Sequence, residues 1–378
     1  IILVMIIIQS NSAMEAYLHC SFHKKPTFTK VYFNNFPPLQ NQKSSVFIAD
    51  VNSKLIANKH LEKIQEADLL VIPSGEIYKT KSTTDWIENE LFKRSCNKHT
   101  TLIAAGGGVV LDLVGFVAAT YYRGVEFIAV PTTFLAMVDA CLGGKNGVNT
   151  LYGKNLLGTI YPASSVWLDL DAAKTWSQAH LQEGMAEVIK SALIADCDFF
   201  SFLEAHVNLF LSKDHHFLEE CIKKTLTIKK GFVAQDPEDA GMRRCLNFGH
   251  TIAHALEQTS SYRISHGQAV ALGLCVETWL SHLMYPNLSD VLYRLIDLLR
   301  RMEFPLIIPK GVTISQLINT CLTDKKNLRH QTRCVVLESL GAAGSFDGDF
   351  CAPITKQALE MALEWMFATF QQEAYVSC

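Results

Sequence analysis

The sequence lacks the cysteine pattern of a disulfide framework or of a thiolate metal site. Its eleven cysteines are scattered, with no C-x-x-C pair and an odd total. Both kinds of site depend on paired cysteines at regular spacing. A reducing compartment fits this usage best, so we predict a cytoplasmic protein.

The sequence also lacks an excess of charge and a long hydrophobic run. A formal net charge of −3 over 378 residues gives no electrostatic reason to expect a nucleic-acid partner. Residues 1–8 are all apolar, but a spanning helix needs about 20 residues, and no basic segment precedes this run. We interpret it as an edge strand or an irregular start rather than a targeting signal, and expect neither nucleic acid nor membrane as a partner.

The length predicts about two domains, and the period of the apolar residues divides the chain. Between residues 44 and 170 short apolar runs alternate with amphipathic stretches, which is typical of buried parallel strands joined by helices. The runs are residues 46–49, 69–72, 102–105 and 127–130. After residue 175 apolar residues recur three and four apart, in segments 185–194, 217–232, 251–256, 269–283, 291–302 and 356–370. We predict an α/β domain with a Rossmann-like parallel sheet over 1–175 and a mainly α-helical domain over 176–378.

Residues 106–108 are three glycines between a predicted strand and a predicted helix. Such a turn lets backbone amides approach a phosphate at a helix N-terminus, although it also occurs as an ordinary turn. Residues 74–79 and 131–133 follow two other predicted strands. Because parallel strands end at the same edge, we expect these three loops to converge on a dinucleotide.

Three of the thirteen histidines, His250, His254 and His266, fall within seventeen residues. His250 and His254 are four apart, so they share a helix face as two zinc ligands would. The alternative is a pair of polar positions on a half-buried helix. A nearby helical segment offers Glu187 and Lys190, three apart, for which an exposed ion pair is the alternative interpretation.

Several motifs in order and at matching spacing resemble the 3-dehydroquinate synthase family of sugar-phosphate cyclases. They are residues 106–115, 122–124, 131–133, 139, 143–145, 153–155, 185–190, 246–254 and 266–267. The match covers roughly residues 47–341 and leaves the first forty or so residues unassigned. The resemblance implies a lyase that converts 3-deoxy-D-arabino-heptulosonate 7-phosphate to 3-dehydroquinate and phosphate, in the shikimate pathway. It also implies catalytic NAD, a divalent metal (zinc or cobalt), a phosphorylated sugar acid as small-molecule substrate, and a homodimer.

The resemblance assigns roles to individual residues. It implies Glu187, His250 and His266 as metal ligands, with His254 beside the substrate. The catalytic residues it implies are Lys145, Lys190, Asn247 and His254. Lys145, Asn155 and Arg333 would hold the phosphate, with Arg123 from a neighbouring subunit, while Lys229 and Arg243 would hold the carboxylate. The implied NAD-binding residues are Asp50, Asn52, Glu76, Lys79, Gly106, Gly107, Gly108, Asp112, Thr132, Thr133, Asp139, Lys145, Lys154 and Thr175.

Three other functions remain as alternatives. A related sugar-phosphate cyclase would use a substrate without a carboxylate, which Lys229 and Arg243 argue against because buried unpaired cations are costly. A metal-dependent polyol dehydrogenase would consume NAD stoichiometrically. A binding protein that kept the fold alone would not need the set of Glu187, His250 and His266.

Overall fold

The structure of the chain is a computed structural model. It describes residues 16–22, 25–34, 44–61, 67–322, 332–346 and 349–370. The interpretation of residues 1–8 lies outside these ranges. The described chain forms two compact units. The first comprises the described residues up to His180 together with Lys229–Glu238, and the second comprises Leu181–Ile228 and the described residues from Asp239 onward. The domain bounds drawn from the sequence at residue 175 stay a prediction.

The first unit is built on a seven-stranded sheet. Its strands are β1 (Ala16–Phe22), β2 (Lys25–Phe33), β3 (Ser45–Asp50), β4 (Ala67–Ile72), β5 (Thr101–Gly106), β6 (Glu126–Pro131) and β9 (Ser165–Leu168). Their order is β1-β2-β9-β6-β5-β3-β4. β1 pairs antiparallel with β2, and the other pairings are all parallel. The parallel sheet expected from the four continuous apolar runs is therefore confirmed.

Helices cover this sheet, as burial of both its faces requires. The first unit contains α1 (Lys54–Leu61), α2 (Lys81–Lys93) and α3 (Gly108–Thr120). One face of the sheet presents Phe47, Ile103 and Ile128, which lie in register and pack in one core with Ala57 of α1. A separate antiparallel hairpin joins β7 (Lys145–Thr150) to β8 (Gly153–Ile160).

The second unit is mainly helical, as predicted. The helices that follow along the chain are α4 (Gln178–Ala195), α5 (Cys197–Ala205), α6 (Val207–Leu211), α7 (His215–Gln235), α8 (His250–Thr259), α9 (His266–Met284), α10 (Ser289–Arg301), α11 (Ile314–Leu322) and α12 (Lys356–Phe370). The end of α7, residues 229–235, belongs to the first unit. α9 is buried on nearly all sides, which identifies it as the central helix of this unit. Short strands complete the unit: β10 (Arg333–Cys334), β11 (Leu337–Ser339), β12 (Ala342–Ala343) and β13 (Ala352–Pro353).

The nine cysteines whose side chains the structure describes are all free thiols. No helix within the described ranges combines the length and the apolarity that crossing a bilayer requires.

Candidate functional site

Three side chains of the second unit converge on one point. Glu187 lies in α4, while His250 and His266 are the first residues of α8 and α9. Their ligand atoms all lie within 4.8 Å of one another, and Nε2 of each histidine is 3.2 Å from Oε1 of Glu187. Ligands at 2.0–2.1 Å from a tetrahedral zinc are separated by about 3.4 Å. The three donors are thus spaced as neighbouring ligands of one divalent cation.

The other nitrogen of each imidazole faces an acceptor. Nδ1 of His250 is 3.1 Å from the carbonyl oxygen of Phe248, and Nδ1 of His266 is 3.5 Å from Oε1 of Glu257. An acceptor at Nδ1 favours the neutral tautomer that carries its proton there, in which the lone pair of Nε2 can bind a cation at the shared point. The donor set therefore suits a metal ion in chemistry as well as in spacing. Glu257 was not predicted from the sequence. It lies one helical turn after His254, and at that spacing an acidic residue cannot be told from one on the exposed face of the helix.

Glu187 is 1% exposed and Lys190 3% exposed, so the alternative of an exposed ion pair is wrong. Nζ of Lys190 contacts Oε2 of Glu187, the oxygen that the histidines do not approach. Burial alone would raise the pKa of the Glu187 carboxyl, but Lys190 and the two imidazoles outweigh it and hold the pKa well below its ordinary value. Glu187 is therefore an anion at neutral pH, as a metal ligand must be.

The pKa values of the two histidines are shifted in opposite directions. Burial lowers the pKa of His250, although Glu187 opposes this effect. Burial also acts to lower the pKa of His266, but its hydrogen bonds to Glu187 and Glu257 outweigh that effect and raise the pKa to about 10. His266 would hold a metal ion through Nε2 in its neutral form, so its raised pKa makes cation binding at this site depend on pH.

His254 is brought next to the cluster but not into it. Its ring is exposed and lies 5.5 Å from the ring of His250, at 83° to it. The ligand cluster pairs His250 with His266, so the interpretation of His250 and His254 as the ligand pair is wrong. Asn247 ends the 3₁₀ turn that precedes α8, and its Nδ2 donates to the carbonyl of Arg244 at 3.1 Å.

The predicted nucleotide-binding loops of the first unit lie at one edge of the sheet. β3 ends at Asp50 and β5 ends at Gly106, and these parallel strands are neighbours. From β3 the chain continues to β4 on one side and later to β5 on the other. Such a reversal of strand order opens a crevice at the carboxyl ends, where dinucleotides bind in open α/β sheets.

The glycine turn lies at this edge, with Gly106 at the end of β5 and Gly107 capping α3. A Cβ at Gly106 would lie 2.5 Å from Cβ of Val110, and a Cβ at Gly107 would lie 3.2 Å from Cγ2 of Thr133. Gly108 opens the helix, where a Cβ would meet only ordinary contact. The turn thus brings the amides at the start of α3 to the sheet edge without intervening side chains, which fits a phosphate.

Three other residues that are predicted to bind NAD or substrate contact one another near the glycine turn. Nζ of Lys79 lies 2.5 Å from Oδ2 of Asp112 and 2.8 Å from Oδ1 of Asn155. Burial raises the pKa of Asp112, and Lys79 opposes that rise. Lys79 thus contacts both Asp112, which like Lys79 is predicted to bind NAD, and Asn155, which is predicted to bind the substrate phosphate.

Other predicted NAD residues lie after further strands of the sheet or in the separate β7–β8 hairpin. Oδ1 of Asp50 accepts from the amide of Asn52 at 3.0 Å, and Oε1 of Glu76 accepts from Nδ2 of Asn149 at 2.7 Å. The amide of Thr132 donates to the carbonyl of Gly106 at 2.9 Å. Thr175 ends the 3₁₀ helix after β9, and Lys154 lies in β8.

The cations predicted to hold substrate occupy varied surroundings. Nζ of Lys229 is buried and lies 2.7 Å from Oδ1 of Asp139, which belongs to the π-helical turn Ala136–Ala140. Nη2 of Arg333 lies 2.6 Å from Oδ2 of Asp349 and also bonds the carbonyl of Cys351. Arg243 is buried, whereas Arg123 and Lys145 are exposed. An anion that binds Lys229 or Arg333 must therefore share the cation with its carboxylate or displace that carboxylate.

Solved structures identify the class of fold. The structure of a 2-deoxy-scyllo-inosose synthase complexed with carbaglucose-6-phosphate, NAD+ and Co2+ has a TM-score of 0.83 and 24% sequence identity, covering 92% of this chain and 99% of that one. A 2-epi-5-epi-valiolone synthase from Streptomyces hygroscopicus subsp. jinggangensis, with NAD+ and Zn2+ bound, has a TM-score of 0.80 at 24% identity, covering 93% and 99%. The chain has the fold of the sugar-phosphate cyclases.

Sequence comparisons identify the family. Models of the 3-dehydroquinate synthase N-terminal and C-terminal regions match residues 69–183 and 184–327. The 3-dehydroquinate synthase of Coxiella burnetii (strain Dugway 5J108-111) is 41% identical over 305 residues, which is 78% of this chain and 84% of that protein. The enzyme of Ruthia magnifica subsp. Calyptogena magnifica is 37% identical over 301 residues, with the same two shares. The chain belongs to the 3-dehydroquinate synthase family, and the resemblance found in the sequence is confirmed.

Proposed function

We propose that the chain is a 3-dehydroquinate synthase, a lyase that converts 3-deoxy-D-arabino-heptulosonate 7-phosphate to 3-dehydroquinate and phosphate. The observation that carries this proposal is the convergence of Glu187, His250 and His266, at ligand spacing, in a member of this family. The proposed cofactors are NAD and a divalent metal, zinc or cobalt, as in the two solved cyclases.

Each cofactor has a set of residues that suits it. Glu187, His250 and His266 would hold the metal, and the loops at the carboxyl edge of the sheet, with the glycine turn, would hold NAD. When bound, the metal supplies Lewis-acid polarisation of a substrate oxygen and NAD supplies a reversible hydride acceptor. Three protein ligands leave coordination positions for substrate oxygens.

The substrate carries a carboxylate and a phosphate, so its site must be locally cationic in a chain of net charge −3. We assign the carboxylate to Lys229 and Arg243, both buried, and the phosphate to Lys145, Asn155 and Arg333. Arg123, exposed and with φ of 63°, is assigned to the phosphate of a neighbouring subunit in a homodimer. Guanidinium groups suit both anions because they pair in bidentate fashion.

The groups assigned to proton handling lie around the metal ligands. Lys190 contacts the oxygen of Glu187 that the imidazoles leave open, which supports a role for its ammonium group next to the substrate hydroxyls. His254 lies exposed beside His250 and outside the ligand cluster, so its imidazole can accept or donate a proton while the three ligands hold the metal. Asn247 would orient a hydroxyl.

The test is phosphate release from the heptulosonate phosphate by the purified chain, with a divalent metal and far less than one equivalent of NAD. We expect many turnovers per NAD, formation of 3-dehydroquinate, and loss of activity on adding a chelator. Release that consumed one NAD per turnover would contradict the proposal and favour a polyol dehydrogenase. Release from a sugar phosphate without a carboxylate, such as glucose 6-phosphate, in preference to the acid would favour a related cyclase.

A further inference from the structure

The start of α8, which carries His250, has no capping side chain of its own. Its N-cap is Gly249, with φ of 80°, and no side chain of the cap residue accepts a hydrogen bond. A helix N-terminus leaves amide donors without intrahelical partners, and a buried one must find acceptors elsewhere.

Glu277 of α9 supplies those acceptors. Its Oε2 accepts from the amide of Gly249 at 2.7 Å, and its Oε1 accepts from the amide of Thr251 at 3.0 Å and of Ile252 at 3.5 Å. The side chain of Glu277 is 0% exposed. A fully buried carboxylate therefore holds the backbone on both sides of His250, and its negative charge suits the positive end of the helix.

Glycine lets the two helices meet at this point. A Cβ at Gly273 would lie 2.0 Å from the carbonyl oxygen of Gly249, so α9 contacts the first turn of α8 backbone to backbone. Gly273 precedes Glu277 by one helical turn. The close approach and the carboxylate cap thus fix the same segment, with little freedom left for His250.

The start of α9, which carries His266, is held in the same way. Oε2 of Glu183 in α4 accepts from the amide of Gly267 at 2.8 Å, and a Cβ at Gly267 would lie 2.5 Å from Cα of Glu183. Glu183 lies one helical turn before Glu187. All three ligand-bearing helices are thereby joined by carboxylate-to-amide hydrogen bonds beside the ligands.

We propose that Glu277 and Glu183 are positioning residues of the metal centre, which fix the helix starts that carry His250 and His266. The proposal rests on the proposed function, because it requires that the cluster binds a metal. The donor set within 4.8 Å consists of Glu187, His250 and His266 alone among the described residues, and the two carboxylates accept from backbone amides, so each acts through the backbone. Glu277 has the larger role, since it is fully buried and accepts hydrogen bonds from several backbone amides, whereas Glu183 is half-buried and accepts a hydrogen bond from one.

The first variant is Glu277→Gln, which keeps the size of the side chain and one carbonyl acceptor but turns the second acceptor into a donor that faces an amide. We expect Co2+ affinity, measured by the visible absorption of bound Co2+, to fall about tenfold, in line with other supporting residues around metal ligands. Glu183→Gln should lower it about threefold. In protein without added metal, hydrogen exchange of the amides of Gly249 and Thr251 should be faster in Glu277→Gln, with α12 unchanged.

Two control variants separate positioning from general damage. Thr278→Val alters the next buried side chain of α9 at constant shape and should leave Co2+ affinity within twofold of wild type. Leu363→Ala destabilises α12 and should lower the unfolding midpoint without a matching loss of affinity below that midpoint.

The outcomes decide both proposals separately. Wild-type protein that binds no Co2+ overturns the proposed metal centre and this inference together. Wild-type binding with unchanged affinity in Glu277→Gln overturns the inference alone, as does an equal loss in Leu363→Ala. If Glu277→Gln does not fold, Glu183→Gln decides by the same criteria.

Discussion

The two units prepare their candidate sites by different physical means. In the first unit, sheet topology brings short loops to one edge, and the ligand contacts we propose are largely backbone amides and side chains that follow strand ends. In the second, three side chains from three helices meet at one point on the buried carboxylate of Glu187, and carboxylates hold the helix starts. The first arrangement depends on backbone shape, and the second depends on a balance of buried charge.

This difference predicts different sensitivities to substitution. The fold of a loop at a sheet edge tolerates a new side chain unless its Cβ has no room, and the loss of one ligand contact there weakens binding only in part, because many contacts share the ligand. A buried cluster tolerates no loss of charge, because the remaining partners are left without compensation. Substitutions in both units can test this contrast.

Glu187→Gln should abolish phosphate release and lower Co2+ affinity at least about 100-fold, since an anionic ligand is lost and Lys190 is left as a buried cation with a weaker partner. Metal titration and the phosphate assay measure both effects. The matched control is Glu204→Gln, which removes the partially exposed partner of Arg294 in the same unit and should leave both unchanged. Full Co2+ affinity in Glu187→Gln would show that this carboxylate is not a ligand.

Gly106→Ala should destabilise the protein by about 2 kcal/mol, because the added Cβ meets Cβ of Val110 at 2.5 Å in a strand end that cannot shift freely. Urea unfolding measures this cost. Gly108→Ala provides the comparison, since its Cβ would lie 3.6 Å from Ala140. We expect near wild-type stability in Gly108→Ala but weaker NAD binding, and unchanged NAD affinity would argue against a phosphate at this turn.

Some strands and helices of the two units could be predicted from the sequence, and others could not. β3 to β6 were predictable because parallel strands buried on both faces read as continuous apolar runs. β1 and β2 lie in the part of the chain that the sequence left unassigned. The β7–β8 hairpin was missed because β8 is largely exposed and the hairpin is rich in glycine and asparagine. α11 was missed although Leu317, Ile318 and Cys321 have helical spacing.

The candidate metal site shows the same limit at the level of single residues. Local enrichment marked the histidines, but helical spacing alone favoured His254, which lies on the same helix as His250. The choice of His266 depends on how α8 packs against α9, through Gly249, Gly273 and Glu277, and no local pattern encodes that contact. Glu187 and Lys190 were likewise assigned to the surface by one interpretation because spacing does not report burial.

An effect of similar size is expected at Asp169, which tests buried charge within the first unit. Burial would raise the pKa of this carboxyl, but hydrogen bonds from His60 and Lys59 lower it below its ordinary value of 3.8. Because the folded-state pKa is depressed, the stabilisation is present above pH 3.8 and is lost as the pH falls below it. Asp169→Asn should therefore cost about 1–3 kcal/mol at pH 7 and progressively less in acid, by urea unfolding. Asp171→Asn, at the half-exposed partner of the same Lys59, should cost under about 1 kcal/mol at either pH.

The smallest effect on metal affinity is expected at His254, and this prediction tests the choice between the two histidine pairs. His254→Gln should leave Co2+ affinity within about twofold of wild type, because the ligand cluster pairs His250 with His266. Turnover should fall by about 100-fold if the imidazole relays a proton, and added metal should not restore it. His250→Gln is the matched variant, one helical turn away, and should lose metal affinity outright. Equal losses of Co2+ affinity in the two variants would mean that both imidazoles bind the ion, and that the centre of the second unit is arranged along one helix rather than assembled from three.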